Sequence, residues 1–221
     1  MDVIGDASLA IANFLRFGLD GPSRYEDIGE QYLRLYGVLN AAYIQQQAVL
    51  KLYLLMNCPN PRDIKGIFHG LEIRTLRHQL ASHSLDFLAP GSNSKQAFVP
   101  VRIDLAGFTC TLTENRGDRN RAVKLDEALD VHCEAVIDAL DRTYEKSIRT
   151  LFRGQANRME EFRKRLNDLR FEKGGNLILR AGEGDKQREL RIVFVAPKSK
   201  EYEADHSVQR DRERRRRTAR R

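Results

Sequence analysis

The chain predicts a mainly α-helical bundle with a β-hairpin insertion and a second β-hairpin toward its C-terminal end. Three observations carry that prediction. Long stretches set apolar residues at the i, i+3, i+4, i+7 spacing of one helix face. Prolines and clustered glycines mark the joints between those stretches. Two pairs of short β-rich runs flank tight turns, which is hairpin punctuation. The 221 residues suit one domain with appendages, or at most two small ones. An apolar share of 41% is enough for a core without disulfides or metals.

Residues 3 to 18 place Ile4, Leu9, Ile11, Ala12, Phe14 and Leu15 at mostly helical spacing, and Gly18 with Gly21-Pro22 ends that segment. Ser23 followed by Glu26 has the spacing of a capping box, in which two side chains satisfy N–H groups at a helix start. From there to Met56 a long apolar stripe runs through Ile28, Tyr32, Leu35, Tyr36, Leu39, Ala42, Tyr43, Val49, Leu50, Tyr53 and Leu54. Gly37 costs this helix only about 1 kcal/mol, which so long a stripe outweighs. Pro59 and Pro61 stop it. A third helix is expected from about Pro61 to His83, with Ile64, Ile67, Phe68, Leu71, Ile73, Leu76 and Leu80 facing inward.

Pro90-Gly91-Ser92-Asn93-Ser94 is loop chemistry. Phe98 to Leu105 and Phe108 to Thr113, about Ala106-Gly107, predict the first hairpin. Helical spacing returns over Leu125 to Leu151, through Leu129, Val136, Ile137, Leu140, Tyr144 and Ile148, and a shorter helix follows over Ala156 to Leu169. Leu177 to Leu179 and Leu190 to Val195, either side of Gly182-Glu183-Gly184-Asp185, predict the second hairpin. The expected organisation is a helical domain over 1–173 with its β insertion at about 97–124, a hairpin extension over 174–206, and a basic flexible tail over 207–221.

The charge is unevenly placed. Residues 207–221 hold eight Arg against Asp211 and Glu213, which is +6 of the net +7. The other 206 residues are close to neutral. The Arg run, with Arg214, Arg215, Arg216 and Arg217 at its centre, has almost nothing apolar to bury, so a solvated tail attracted to RNA phosphates is expected. The longest apolar stretch, Ala48 to Met56, is short and interrupted by Lys51, which excludes a membrane span. Asp2 and Asp6 stand where a signal peptide carries positive charge. Cys58, Cys110 and Cys133 form no CxxC pair and are odd in number, so reduced thiols in a cytoplasmic protein are expected.

Most catalytic chemistries lack their residues here. The five histidines, His69, His78, His83, His132 and His206, show no HExxH spacing, and His132-Cys133 has no nearby partner pair. There is no GxxxxGK[ST], no GxGxxG after a strand and no GxSxG elbow. Gly182 and Gly184 surround Glu183 and precede Asp185, which repel phosphate and suit a hairpin turn. No metal and no cofactor is therefore expected. The basic stretch Arg116, Arg119 and Arg121 is a candidate RNA contact or, more simply, a solvated connector.

What remains is Arg74-Thr75-Leu76-Arg77-His78-Gln79-Leu80-Ala81-Ser82-His83-Ser84 at the end of the third helix. Two Arg–His pairs have a spacing of four to six intervening residues, Arg62 with His69 and Arg77 with His83. Arg62 opens its helix just after Pro61, and His69 falls among Ile67, Phe68 and Leu71. Arg77 is followed by polar His78, then Leu80-Ala81 and His83, and ends a helix that follows a very long one. This segment resembles the HEPN superfamily, whose members carry an Arg, usually a polar residue after it, and a His at that spacing. The resemblance covers about eight residues in motif and residues 25 to 150 in architecture. It implies an HEPN-like helical bundle and a metal-independent endoribonuclease, often a toxin or phage-defence effector, working as a homodimer that brings two Arg/His motifs together. One subgroup of the superfamily has a Tyr two residues after the motif His. Leu85 stands there in this chain, so the nucleotidyl regulation of that subgroup is not carried over.

The residue chemistry fits that task by itself. Cutting RNA without metal requires taking a proton from the 2′-OH, stabilising charge on phosphorus and protonating the departing 5′-oxygen. His is the side chain whose ordinary pKa suits proton transfer near neutrality. Arg stays charged and offers a fork that matches phosphate oxygens. Arg77 is thus the expected phosphate ligand, His83 the acid or base, and His78 its assistant, while Arg74 stacks at i, i+4 on His78 and is an expected RNA contact. Six residues of regular helix give about 240° of rotation and 9 Å of rise, so Arg77 and His83 converge only through a distorted last turn, the length of Arg77 or a dimer partner. The expected partners are RNA, a second copy of the chain and an antitoxin or regulatory protein. Two other readings use the same residues differently. One is a noncatalytic helical dimer that binds RNA or protein. The other is a small-molecule sensor or structural module with Tyr32, Tyr36, Tyr43 and Tyr53 around its pocket, although those tyrosines suit core or interface better.

Overall fold

The computed structural model describes residues 2–22, 27–82, 84–88, 91, 95–114, 119–182 and 188–194, with the backbone alone described at 102 and 103. The chain divides into two compact units, Met1–Met159 and Glu160–Arg221. Among the described residues the structure is mainly helical with small antiparallel sheets. No helix among them is long and apolar enough to cross a membrane.

The first unit begins with α1 (Val3–Phe17), capped by Asp2, whose carboxylate accepts from the Gly5 N–H at 2.9 Å. Gly18 ends it at φ 61°, a left-handed conformation suited to glycine. Its backbone lies so close to Gly107 that an added Cβ would stand 2.4 Å from the Gly107 carbonyl oxygen. Leu19 N–H donates to that same oxygen at 2.7 Å, and Asp20 Oδ2 accepts from Gly107 N–H at 3.1 Å. The turn after α1 therefore grips the turn of the sheet.

The long helix α2 (Ile28–Leu55) is the longest element described, and it is the hub of the unit. Leu35, Val38, Leu39, Ala42, Val49 and Tyr53 are all buried on it, and it packs against α1 and against three later helices of the unit. Its cap is Asp27, which accepts from Glu30 N–H at 3.1 Å. The expected capping box, Ser23 with Glu26, lies outside the described residues.

The single helix expected over Pro61 to His83 is two helices. α3 (Pro61–Gly70) stops at Leu71, whose ψ of 133° is extended, and α4 (Glu72–Arg77) starts directly after it. Gly70 weakens the helix there, and the break turns Leu71 inward, where it is buried. α4 lies against α2. Arg77 is followed by a π-helical turn over His78–Ser82. A two-stranded ribbon, β1 (Phe87–Leu88) with β2 (Lys95–Gln96), leads to the main sheet.

That sheet is a meander of three strands, β3 (Phe98–Ala106), β4 (Thr109–Glu114) and β5 (Arg119–Lys124). The expected hairpin is β3–β4. The third strand takes in the Arg119–Arg121 part of the expected solvated connector, because β4 offers it a pairing edge and Val123 packs into the core; Arg116 lies outside the described residues. Cys110, Leu112 and Val123 turn one face of the sheet into the core. Burial pushes the Cys110 thiol up to about 12, with the Asp104 charge adding to it, so it stays a protonated packing group. α5 (Leu125–Leu151) completes the first unit and packs on α2, burying Leu125, Ala128, Leu129, His132, Val136 and Ala139 along one stripe.

The helix α6 (Ala156–Lys173) runs into the second unit, which also holds the antiparallel hairpin β6 (Leu177–Ala181) with β7 (Arg188–Ile192). An ion-pair network ties that hairpin to its helix. The Asp168 carboxylate, 11% exposed, receives Arg180 on one oxygen and Arg191 on the other, the latter at 2.6 Å. Both arginines also bond Glu189, whose carboxyl is held below its ordinary pKa mainly by the Arg191 hydrogen bond. The basic tail over 207–221 lies outside the described residues.

Candidate active site

Tyr43 on α2 gathers the Arg/His segment. The Arg77 guanidinium sits 4.1 Å from the Tyr43 ring centroid, the Arg74 guanidinium 5.1 Å from it, and the His78 ring meets it edge-on at 6.2 Å. All four side chains are partly exposed. Arg74 on α4 and His78, the first residue of the π turn, are four positions apart, and Arg77 follows Arg74 by three, so the side chains are neighbours. The stripe they form lies along α2, so a single aromatic ring meets all three.

The cations are held by neutral groups. Arg77 Nε donates to Asn40 Oδ1 at 3.4 Å, and Asn40 is oriented for this because its own NH₂ donates to the Tyr36 carbonyl at 3.0 Å. Arg74 Nη1 donates to Gln46 Oε1 at 3.2 Å. Neither arginine forms an ion pair with a carboxylate among the described residues. An amide oxygen and a ring face attract a guanidinium without cancelling its charge, each cation–π contact being worth about 0.5–1 kcal/mol when exposed. Two positive charges therefore remain at one place on the surface. Nearby His69, exposed on α3, feels the field: its pKa is lowered by desolvation first, then by the charges of Arg74 and Lys65.

The π turn begins at the residue after Arg77. A π turn changes the rotational phase of the residues beyond it, and such turns are frequent at functional sites. His83, the other half of the motif, lies outside the described residues, as do Arg116 and Arg214, Arg215, Arg216 and Arg217. The two remaining basic candidates fall on β5. Arg119 is exposed, in register opposite Glu114. Arg121 is tied at both ends, to Glu72 Oε1 at 3.2 Å and to the buried Gln79 at 3.0 Å. It braces β5 against α4 and the π turn.

Comparison with family models, with curated proteins and with solved structures finds no match for this chain.

Three side chains beside it escape a reading of local sequence. Asn40 and Gln46 hold the two guanidiniums, and His132 stands behind Gln46. His132 is fully buried on α5, with Nδ1 3.2 Å from Gln46 Nε2 and Nε2 2.8 Å from Gln45 Oε1. Burial lowers its pKa to about 4, so it is neutral at physiological pH. A signal for two of them is present in the sequence. Gln46 lies on the stripe Ala42, Val49, Tyr53, and His132 lies on the stripe Leu125, Leu129, Val136, so each is a polar residue at a core position. No group of three or more His, Cys, Asp or Glu placed to hold a metal occurs among the described residues.

Proposed function

We propose that the protein is a metal-independent endoribonuclease of HEPN type, acting as a toxin or phage-defence effector. The observation that carries this reading is the pair of guanidiniums, Arg74 and Arg77, which lie over Tyr43 beside His78 with no carboxylate partner among the described residues. Such a pair suits a phosphodiester: the Arg fork presents parallel N–H donors to non-bridging oxygens, and its charge persists at any working pH. Arg77 binds the scissile phosphate and stabilises charge as the 2′-oxygen adds to phosphorus. His83 exchanges protons with the 2′-OH or the departing 5′-oxygen, and His78 assists it. The P–O5′ bond breaks, leaving a 2′,3′-cyclic phosphate on one fragment and a 5′-OH on the other. The reading includes a homodimer in which a second copy brings its own Arg77 and His83.

The end groups test this chemistry. Cleavage of a short RNA in EDTA is expected to leave 2′,3′-cyclic phosphate ends, and a 2′-O-methyl group at the cleaved position is expected to block it. Products with 5′-phosphate ends, or cleavage that survives the 2′-O-methyl group, would overturn the mechanism.

A further inference from the structure

The hydrogen bonds behind Arg74 run in one direction, and Arg74 sets that direction. A guanidinium can only donate, so Gln46 must turn its oxygen toward Arg74 and its NH₂ toward His132. Nδ1 of His132 is then an acceptor, which places the ring proton on Nε2. Nε2–H donates to Gln45 Oε1 at 2.8 Å, and Gln45 Nε2 donates in turn to Ser8 Oγ at 2.8 Å. The Ser8 hydroxyl donates to the Ile4 carbonyl, also at 2.8 Å. Every member of this chain has its donor facing an acceptor. It joins α4, α2, α5 and α1, and its far end reaches the first turns of the N-terminal helix.

We infer that Gln46 and His132 are positioning residues for Arg74, fixing its guanidinium at the Tyr43 site through this one-way chain. The alternative role, satisfying a few core polar groups, does not require the chain to end on a partly exposed arginine at the site. If the Gln46 amide turned over, its NH₂ would face the Arg74 donor, so the amide orientation and the arginine position are set together. His132 locks that orientation, because its neutral Nε2–H tautomer accepts only on the side facing Gln46. The consequence for RNA rests on the nuclease reading; the consequence for Arg74 does not.

Gln46→Met keeps the side-chain length and removes the acceptor. In the wild type the Arg74 guanidinium N–H signals, assigned by their loss in Arg74→Lys, are expected to be slowed in exchange, and in Gln46→Met to be lost or averaged. His132→Gln, which keeps an acceptor for Gln46, is expected to retain them, whereas His132→Phe, which removes it, is expected to lose or average them and is the variant to read if Gln46→Met does not fold. Unchanged Arg74 signals in Gln46→Met, or in a folded His132→Phe, would overturn the inference. A short 2′-O-methyl RNA, which binds without being cut, is the second probe. Gln46→Met is expected to weaken its binding roughly tenfold, the worth of one hydrogen bond to a charged group. It should add nothing further in an Arg74→Ala background, because the effect passes through Arg74. Additive losses would overturn the inference. Wild-type protein that ignores RNA, with Arg74 signals that still depend on Gln46, would instead overturn the nuclease reading and leave the positioning role supported.

Discussion

Acidification should destabilise the first unit through His132 in a defined window. The folded protein holds this histidine neutral, with a pKa of about 4, whereas the unfolded chain protonates it at about 6.5. Above about 6.5 both states are neutral and the group contributes no pH dependence. As pH falls below that value the unfolded chain takes up a proton that the folded chain refuses, so stability drops. The loss continues until about pH 4, where the folded state takes up its proton too. A difference of about 2.5 units at 1.36 kcal/mol each gives a maximum loss of about 3 kcal/mol. His132 is fully buried, so solvent does little to screen this. Urea unfolding curves from about pH 7.5 to pH 4, on wild type and His132→Gln, measure it. Carboxylates common to both proteins cancel in the difference. The wild-type stability should fall more steeply, by up to about 3 kcal/mol across the window, and the two curves should run parallel above it. Parallel curves throughout would show that His132 is not a buried neutral acceptor, and the chain to Arg74 would lose its middle link.

Gly18→Ala should cost about 3 kcal/mol in urea unfolding, from the left-handed backbone it forbids and the Cβ it drives against the Gly107 carbonyl; a loss under about 0.5 kcal/mol would show that the turn contact is loose. Asp168→Ala should speed amide exchange across Leu177–Ala181 and Arg188–Ile192 while leaving the Met1–Met159 unit unchanged, since Arg180 and Arg191 both lose their shared carboxylate. Deleting residues 207–221 should leave the melting temperature nearly unaltered and weaken RNA binding at low salt, with the log–log salt slope falling by about 0.7 for each phosphate contact removed. A large drop in melting temperature would contradict the solvated-tail reading.

The long elements are legible in the sequence because their apolar periods are long. α2 and α5 each repeat their stripe over about seven turns of 3.6 residues, so one Gly37 or one misplaced polar residue does not hide the period. The break at Leu71 is not legible, because Leu71 fits the apolar stripe of an unbroken helix as well as it fits a buried joint. β5 is hidden for the opposite reason: Arg119, Asn120, Arg121 and Lys124 look like a loop, yet β4 supplies the pairing and Val123 alone is buried. At the site, local spacing finds Arg74, Arg77 and His78. It does not find Asn40, Gln46 or His132, which approach from α2 and α5 across long sequence separations. Periodicity marks Gln46 and His132 as polar residues on core faces, but only the fold says that the two faces meet.

The most direct measurement is RNA cleavage by the purified protein in EDTA, beside Arg77→Ala and His83→Ala. The wild type should cut without metal, and both variants should stay folded and lose cleavage, His83→Ala by about 10²–10⁴ in rate, as expected for losing a proton-transfer group. Folded wild-type protein that leaves varied RNAs intact, or cleavage that survives both substitutions, would contradict the account.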